Sequence, residues 1–227
     1  MLIGKANQEK LRNSSVLIAG AGGVGGYVCE ALARCGVGKI IIVDNDSVDI
    51  TNINRQIIAT QDTLGLPKAE LICHRVNIIN PSAEVSPMNL FISEENADKL
   101  PLNIDYIADA VDTVSAKILL AQLAFKNGIP IISSMGTGNK LDPSRLKIAD
   151  IFETDVCPLA RVMRKKLREL NIHRLAVVYS DEKPLKPDYC DSSDCVSKAS
   201  PPGSVSFVPP VAGFLIASKI VRELTGL

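Results

Sequence analysis

The run Gly-Ala-Gly-Gly-Val-Gly-Gly at residues 20–26 is the first place in this chain where residue type and spacing point to chemistry. Gly20, Gly22 and Gly25 form a GxGxxG frame with Gly23 inside it. Such a turn lets backbone amides approach a phosphate that a Cβ would hold away, and a helix opening there adds the attractive end of its dipole. Alone the frame is weak, because many glycine-rich turns bind nothing. Asp44 follows at the distance where an acidic side chain accepts hydrogen bonds from ribose hydroxyls. This much fits a nicotinamide-dependent oxidoreductase as well as an ATP enzyme.

The segment that separates them is DNDSVDITNINRQ, which carries Asp44, Asp46, Asn52, Arg55 and Gln56, followed by Lys68 in GLPKAE. A dinucleotide has roughly two phosphate charges and ATP about four, so a site that cleaves ATP needs extra cations and a metal ion. Arg55 and Lys68 are the candidate cations, and Asp112 in DAVDT is the candidate magnesium ligand. Each has a plainer alternative: ordinary surface charge for the two cations, and the N-cap of the following helix for Asp112.

These residues need a frame that brings them to one edge. SSVLIAG reads as a strand buried on both faces, residues 24–35 as a helix with Val24, Val28, Ala31, Leu32 and Cys35 on one stripe, and KIIIVD as the next strand. Strand, helix, strand in so short a span is the βαβ unit of a parallel sheet. The alternation continues through a helix at 68–79, strands at AEVSPMN and DYIADAVD, a helix at 115–127 and a strand at IPIISS. The expected class is α/β, a doubly wound, mainly parallel, Rossmann-like sheet whose ligand lies beyond the carboxyl ends of its strands. After Gly138 two further strands, RLKIADIFET and HRLAVVYS, flank a basic helix at 158–170 and are expected to extend the sheet with antiparallel partners. A mobile loop is expected over 181–202, and an apolar helix from Pro209 closes the chain. The whole is read as one domain over 1–227, with a nucleotide-binding core at 1–140 and a substrate or dimer extension at 141–227.

Composition narrows the partners. The 227 residues hold 25 Lys+Arg against 25 Asp+Glu, so contact with a nucleic acid must be local. No window approaches the roughly 18 apolar residues of a membrane span, and the first residues show no apolar signal core, so the expected location is cytoplasmic. The six cysteines form no CxxC pair, and two histidines offer few metal ligands. With 4% aromatic residues and no Trp, a stacking surface for bases is poorly supported.

The glycine turn, the Asp44–Asp46 pair, TNINRQ, GLPKAE and DAVDT, in that order, resemble the ATP-dependent adenylating domain of the E1-like superfamily. Beyond residue 130, IISSMGTGNKLDPSRLKIADIFETDVCPLARVMRKKLREL and PPGSVSFVPPVAGFLIASKIV look like its tRNA threonylcarbamoyladenosine dehydratase branch. The resemblance implies ATP-dependent cyclisation of the threonylcarbamoyl group on adenosine 37 of tRNA. It also implies that Gly20, Gly22, Gly23, Gly25, Asp44, Asp46, Asn52, Arg55, Gln56 and Lys68 bind the nucleotide, with Arg55, Lys68 and Asp112 acting in catalysis and Asp112 holding Mg2+. A homodimer and a sulfur-relay protein are the implied protein partners. Members often bring an arginine to the partner subunit's ATP from a segment ahead of the first strand; Arg12 is not assigned that role. The alternative activity is adenylation of the C-terminal carboxylate of a ubiquitin-like sulfur carrier, whose activators commonly hold zinc on two CxxC pairs.

Spacing on the basic helix puts Arg161, Arg164, Lys165 and Arg168 on one face, which is either a seat for tRNA phosphates or a solvated surface. Cys157 stands just before that helix, either as an acyl or sulfur acceptor or as an inert buried thiol. Cys190 and Cys195 fall in the expected loop as a candidate redox pair.

Overall fold

The computed structural model describes residues 2–185 and 203–227. Seven strands form one sheet: β1 (Ser15–Ala19), β2 (Lys39–Val43), β3 (Glu84–Met88), β4 (Tyr106–Asp109), β5 (Ile131–Ser134), β6 (Leu146–Asp150) and β7 (Ala176–Ser180). Their order across the sheet is β3-β2-β1-β4-β5-β7-β6, and every neighbouring pair is parallel except β6 with β7. The expected α/β class holds, with one refinement. Of the two late strands only β6 runs antiparallel, because α5 (Pro158–Glu169) carries the chain back across the sheet and lets β7 enter parallel to β5. The sheet thus draws strands from both sides of residue 140.

The central strands β1 and β4 are buried along almost their whole length, as continuous apolar runs in a parallel sheet should be. β3 reads more polar and contains Pro87, which a sheet tolerates at its edge. One face is covered by α1 (Gly4–Arg12), α2 (Gly25–Cys35), α3 (Lys68–Ile79) and α6 (Val208–Thr225), whose apolar residues share a core with Val16, Ile18, Ile40 and Ile42. On the other face α4 (Val114–Asn127) packs Ala116, Leu120 and Ala124 against Leu17, Ala19, Ile41 and Val43, and α5 adds Met163 and Leu167 beside Val177. Alternate residues of β1 therefore feed different cores, which is the period-two geometry of a strand.

Two details differ from what the sequence led us to expect. The strand expected through Asp112 stops at Asp109, so Asp112 lies in the turn before α4. In α2 the buried face includes Cys29 and Ala33 beside Val28 and Leu32, whereas Ala31 and Cys35 are half-buried. Residues 186–202 of the expected loop, with Cys190 and Cys195, lie outside the described residues.

Candidate nucleotide site

A cavity of about 480 Å³ opens where the carboxyl ends of β1, β2 and β4 meet the loops that follow them. Its wall includes Gly20, Gly22, Gly23, Asp44, Asp46, Asn52, Arg55, Gln56, Lys68 and Asp112, so the residues separated by up to 92 positions in sequence come together at one place. A larger cleft at the opposite edge of the sheet, about 680 Å³, includes Tyr106, Lys219 and Glu223 and none of these residues.

Backbone geometry explains the glycine turn. Gly20 has φ +91°, and a Cβ there would sit 2.7 Å from the Ala110 carbonyl oxygen. At Gly25 a Cβ would lie 1.7 Å from the Gly20 carbonyl oxygen, so the first residue of α2 must be glycine for the helix to start this close to the strand. Gly25 is accordingly a packing residue and does not line the cavity, unlike the other three glycines. Val24 precedes the helix without a side-chain cap, leaving the turn to present backbone to the cavity.

Asp44 organises that turn. Its carboxylate accepts from the Ala21 amide at 2.6 Å and from the Asp46 amide at 2.8 Å. Burial pushes its pKa above the usual carboxylate value, against the two amide hydrogen bonds and nearby Lys68, which pull it down. The remaining lone pairs are available to ribose hydroxyls.

Lys68 opens α3, and its ammonium donates to the exposed Asp46 carboxylate at 2.9 Å. A short bridge between Ser47 and Pro67 holds the two loops together at this point. Arg55 follows a single turn of 3₁₀ helix, Ile50–Asn52, which Asp49 caps through the Thr51 amide. The Arg55 guanidinium donates to the Thr51 carbonyl at 2.7 Å and the Asn54 side-chain oxygen at 2.9 Å. A Cβ on Gly23 would come within 3.2 Å of the Arg55 side chain, so the guanidinium stem crosses directly over the turn. Asn52 and Gln56 are both buried, and the Gln56 side-chain oxygen has no hydrogen-bond partner among the described residues. A buried acceptor without a donor is costly, and a bound ligand or water at this wall would satisfy it.

Asp112 is exposed at the mouth, where Thr113 donates to its carboxylate at 3.4 Å. Thr113, not Asp112, is the N-cap of α4, so the capping alternative does not hold. Among the described residues no group of three His, Cys, Asp or Glu side chains could hold a metal ion. A lone carboxylate nevertheless suits magnesium, which commonly takes one or two carboxylates and completes its shell with phosphate oxygens and water.

Several wall residues carried no signal in the sequence. Leu90, Phe91 and Ile92 follow β3, Thr137 follows β5, Ser204 precedes α6 and Pro209 lies in its first turn. For the first four the only mark in advance is position, just past strands that end at the carboxyl edge. A buried cluster beneath the wall also escaped notice: Asp109 at the end of β4 pairs with Lys117 at 3.1 Å and accepts from the Ser133 hydroxyl.

The basic face proposed for α5 is only partly free. Arg164 turns inward, donating to the Thr154 carbonyl at 2.9 Å and to its hydroxyl, and Arg168 lies 5.2 Å from the Phe152 ring. Arg161, Lys165 and Arg168 remain exposed. Cys157, the N-cap residue of α5, is 3% exposed and packs with Ile151, Ala160 and Met163.

The ThiF family model matches residues 1–227. The chain belongs to the ThiF family. Within this family, similarity extends over nearly all of the chain to the tRNA threonylcarbamoyladenosine dehydratase of Bacillus subtilis, 43% identical over 99% of this chain and 92% of the relative. The crystal structure of the Escherichia coli tRNA N6-threonylcarbamoyladenosine dehydratase in complex with ATP superposes with a TM-score of 0.89 at 29% identity, covering 99% of this chain and 91% of that one. An adenylyltransferase and sulfurtransferase of Vanderwaltozyma polyspora is 37% identical, but over 60% of this chain and 31% of its own length.

Proposed function

We propose that this chain is an ATP-dependent tRNA threonylcarbamoyladenosine dehydratase working in the cytoplasm. The observation that carries the reading is the full-length similarity to dehydratases, set against a match to a sulfur-carrier type of relative that covers little more than half of the chain. The cavity supplies matching chemistry, with a glycine turn, an acceptor for ribose, two cations and a carboxylate at one edge.

A carboxylate is a poor electrophile. In the proposed reaction a carboxylate oxygen of the threonyl group attacks the α-phosphorus of ATP, and the bond from that phosphorus to the pyrophosphate oxygen breaks. The product is an acyl-adenylate. The carbamoyl group of the same side chain then closes onto the activated carbonyl, AMP leaves with the carbon–oxygen bond electrons, and one proton is released. Ring closure is intramolecular and gains from effective molarity, so no protein nucleophile is required. Buried Cys157 is consistent with that economy. Arg55 and Lys68 stabilise charge that develops on the phosphates, Asp44 orients the ribose, and Asp112 is the residue to hold magnesium. Bound there, magnesium would neutralise phosphate charge.

On the outer surface, Arg161, Lys165 and Arg168 are exposed α5 side chains available to tRNA phosphates, with Arg164 drawn inward to Thr154. Exposed Phe207 and Phe214 support a homodimer through the outer face of α6, which sedimentation velocity would show as a doubled mass. A sulfur-relay partner belongs to the same reading, without a surface assigned to it.

The test is incubation of the protein with ATP, magnesium and tRNA carrying threonylcarbamoyladenosine. The expected result is AMP, pyrophosphate and a nucleoside lighter by one water, with Asp112→Asn abolishing all three. AMP release that depends on a ubiquitin-like carrier and ignores tRNA would replace the reading with the sulfur-carrier alternative.

A further inference from the structure

A chain of contacts runs from the loop after β5 to Arg55 in the cavity wall. Asn139 has φ +57°, a left-handed conformation that Asn tolerates better than most residues. Its amide donates to the Gly203 carbonyl at 2.8 Å, its side-chain oxygen accepts from the Gly203 amide at 2.7 Å, and its carbonyl accepts from the Leu185 amide at 2.8 Å. One residue therefore ties down the two positions that bracket residues 186–202. The next residue, Ser204, lines the nucleotide cavity, and its carbonyl accepts from the Asn54 side-chain amide at 2.9 Å. Asn54 turns its other atom, the side-chain oxygen, to the Arg55 guanidinium at 2.9 Å. Only one orientation of the Asn54 amide satisfies both neighbours, since the carbonyl must face the guanidinium and the NH2 must face Ser204.

From this we infer that Asn54 and Asn139 are positioning residues for ATP, Asn54 aiming the Arg55 guanidinium and Asn139 anchoring the Gly203–Ser204 backbone on which Asn54 braces. The inference rests on the proposed function in that it takes the phosphates of ATP as the ligand of Arg55. Physically, a guanidinium on a long flexible side chain loses rotamer entropy whenever it is immobilised, and a partner that holds it in advance removes part of that cost from binding. The Thr51 carbonyl and the Asn54 oxygen together leave the fork little freedom, and Ser204 denies Asn54 the rotation that would release it. Neither asparagine contacts the phosphates in this scheme; each acts through Arg55.

The experiment measures binding of ATP and of adenosine by calorimetry to the whole chain, comparing wild type with Asn54→Ala, Asn139→Gly and the double variant. Glycine is chosen at 139 because it keeps the positive φ and removes only the side chain. Loss of a charge-assisted hydrogen bond predicts that Asn54→Ala weakens ATP about tenfold. Adenosine, which has no phosphate for Arg55 to hold, should change less than about twofold, and melting temperature should not move. Asn139→Gly should weaken ATP by a smaller factor of about three, and the double variant should be no weaker than Asn54→Ala alone, because both act on one path. Unchanged ATP affinity in Asn54→Ala, equal weakening of ATP and adenosine, or additive effects in the double variant would each overturn the inference while leaving the functional reading intact. Wild-type protein that binds adenosine but gains nothing from the triphosphate would remove the functional reading, and this inference with it.

Discussion

Two lysine–aspartate pairs stand at the carboxyl edge of the same sheet, and burial makes them different instruments. Lys117 and Asp109 have side chains 1% and 0% exposed, and the ammonium reaches both carboxylate oxygens at 3.1 Å. Lys68 and Asp46 meet at 2.9 Å, but Asp46 is 61% exposed and the pair lines the cavity. In the first pair neither charge has a second charged partner among the described residues, and both side chains are shut off from water. In the second, Asp46 can return to solvent at little cost and leave the ammonium of Lys68 to a phosphate. Proximity of opposite charges is thus common to both pairs, and accessibility decides which of them can meet a ligand.

Replacing the lysines in turn is the sharpest way to break this comparison. Lys117→Met keeps most of the volume and leaves the buried Asp109 without its cation, so a loss of about 3–5 kcal/mol is expected in urea unfolding. A loss below about 1 kcal/mol would show that water reaches the pair and that the contrast is false. Lys68→Met should do the converse. Stability should stay within about 1 kcal/mol, while ATP-dependent cyclisation falls by about a hundredfold, the size of effect seen when one preorganised electrostatic partner of a transition state is removed. Rapid-quench measurement of AMP formation would check it.

The first pair can also be removed whole. With Asp109→Leu, Lys117→Met and Ser133→Ala together, no buried charge or hydroxyl donor is stranded, and the protein should recover to within about 2 kcal/mol of wild type. The Val111 amide, which donates to Asp109 at 3.2 Å, is the one group left wanting, and it belongs to the turn that carries Asp112. Recovery of stability without recovery of activity would therefore mark Asp109 as the support of that turn.

The smallest effect expected is in pH. Burial, opposed by the amides of Ala21 and Asp46, leaves the Asp44 carboxyl with a raised pKa. On acidification the folded protein takes up this proton before the unfolded chain does. The group's contribution to stability therefore rises as pH falls through the raised value towards the ordinary carboxylate value. ATP affinity moves the other way, since a protonated carboxyl gives up an acceptor for ribose. Calorimetric titration across this range should show ATP weakening at a pH above that of an ordinary aspartate, with the step absent in Asp44→Asn.

The site was legible wherever chemistry and position coincide along the chain. Gly20, Asp44 and Asp112 each follow a strand that apolar patterning identifies, and strands of a parallel sheet end at one edge. Arg55, Gln56 and Lys68 were legible through their motifs, though local pattern alone left Arg55 and Lys68 as ordinary surface charge. Three matters were not legible. Helical spacing placed Arg164 with Arg161 and Lys165, but spacing cannot reveal Thr154, which draws its guanidinium inward. Asp109, Lys117 and Ser133 come from β4, α4 and β5, and nothing local in any of these segments announces the others. The role of Gly25 changed from ligand contact to close packing once the distance to Gly20 was known.

Taken alone, the order of residues determined the alternation of strand and helix and the edge at which a ligand must lie. Those follow from local patterning and from the direction rule of parallel strands, both of which act within a few tens of residues. Tertiary structure alone decided which charges are wet, which asparagine holds which arginine, and that β7 joins the sheet parallel while β6 runs against it. Exposure and hydrogen-bond partnership depend on what packs across the sheet from distant parts of the chain, so they come into being only when the chain folds.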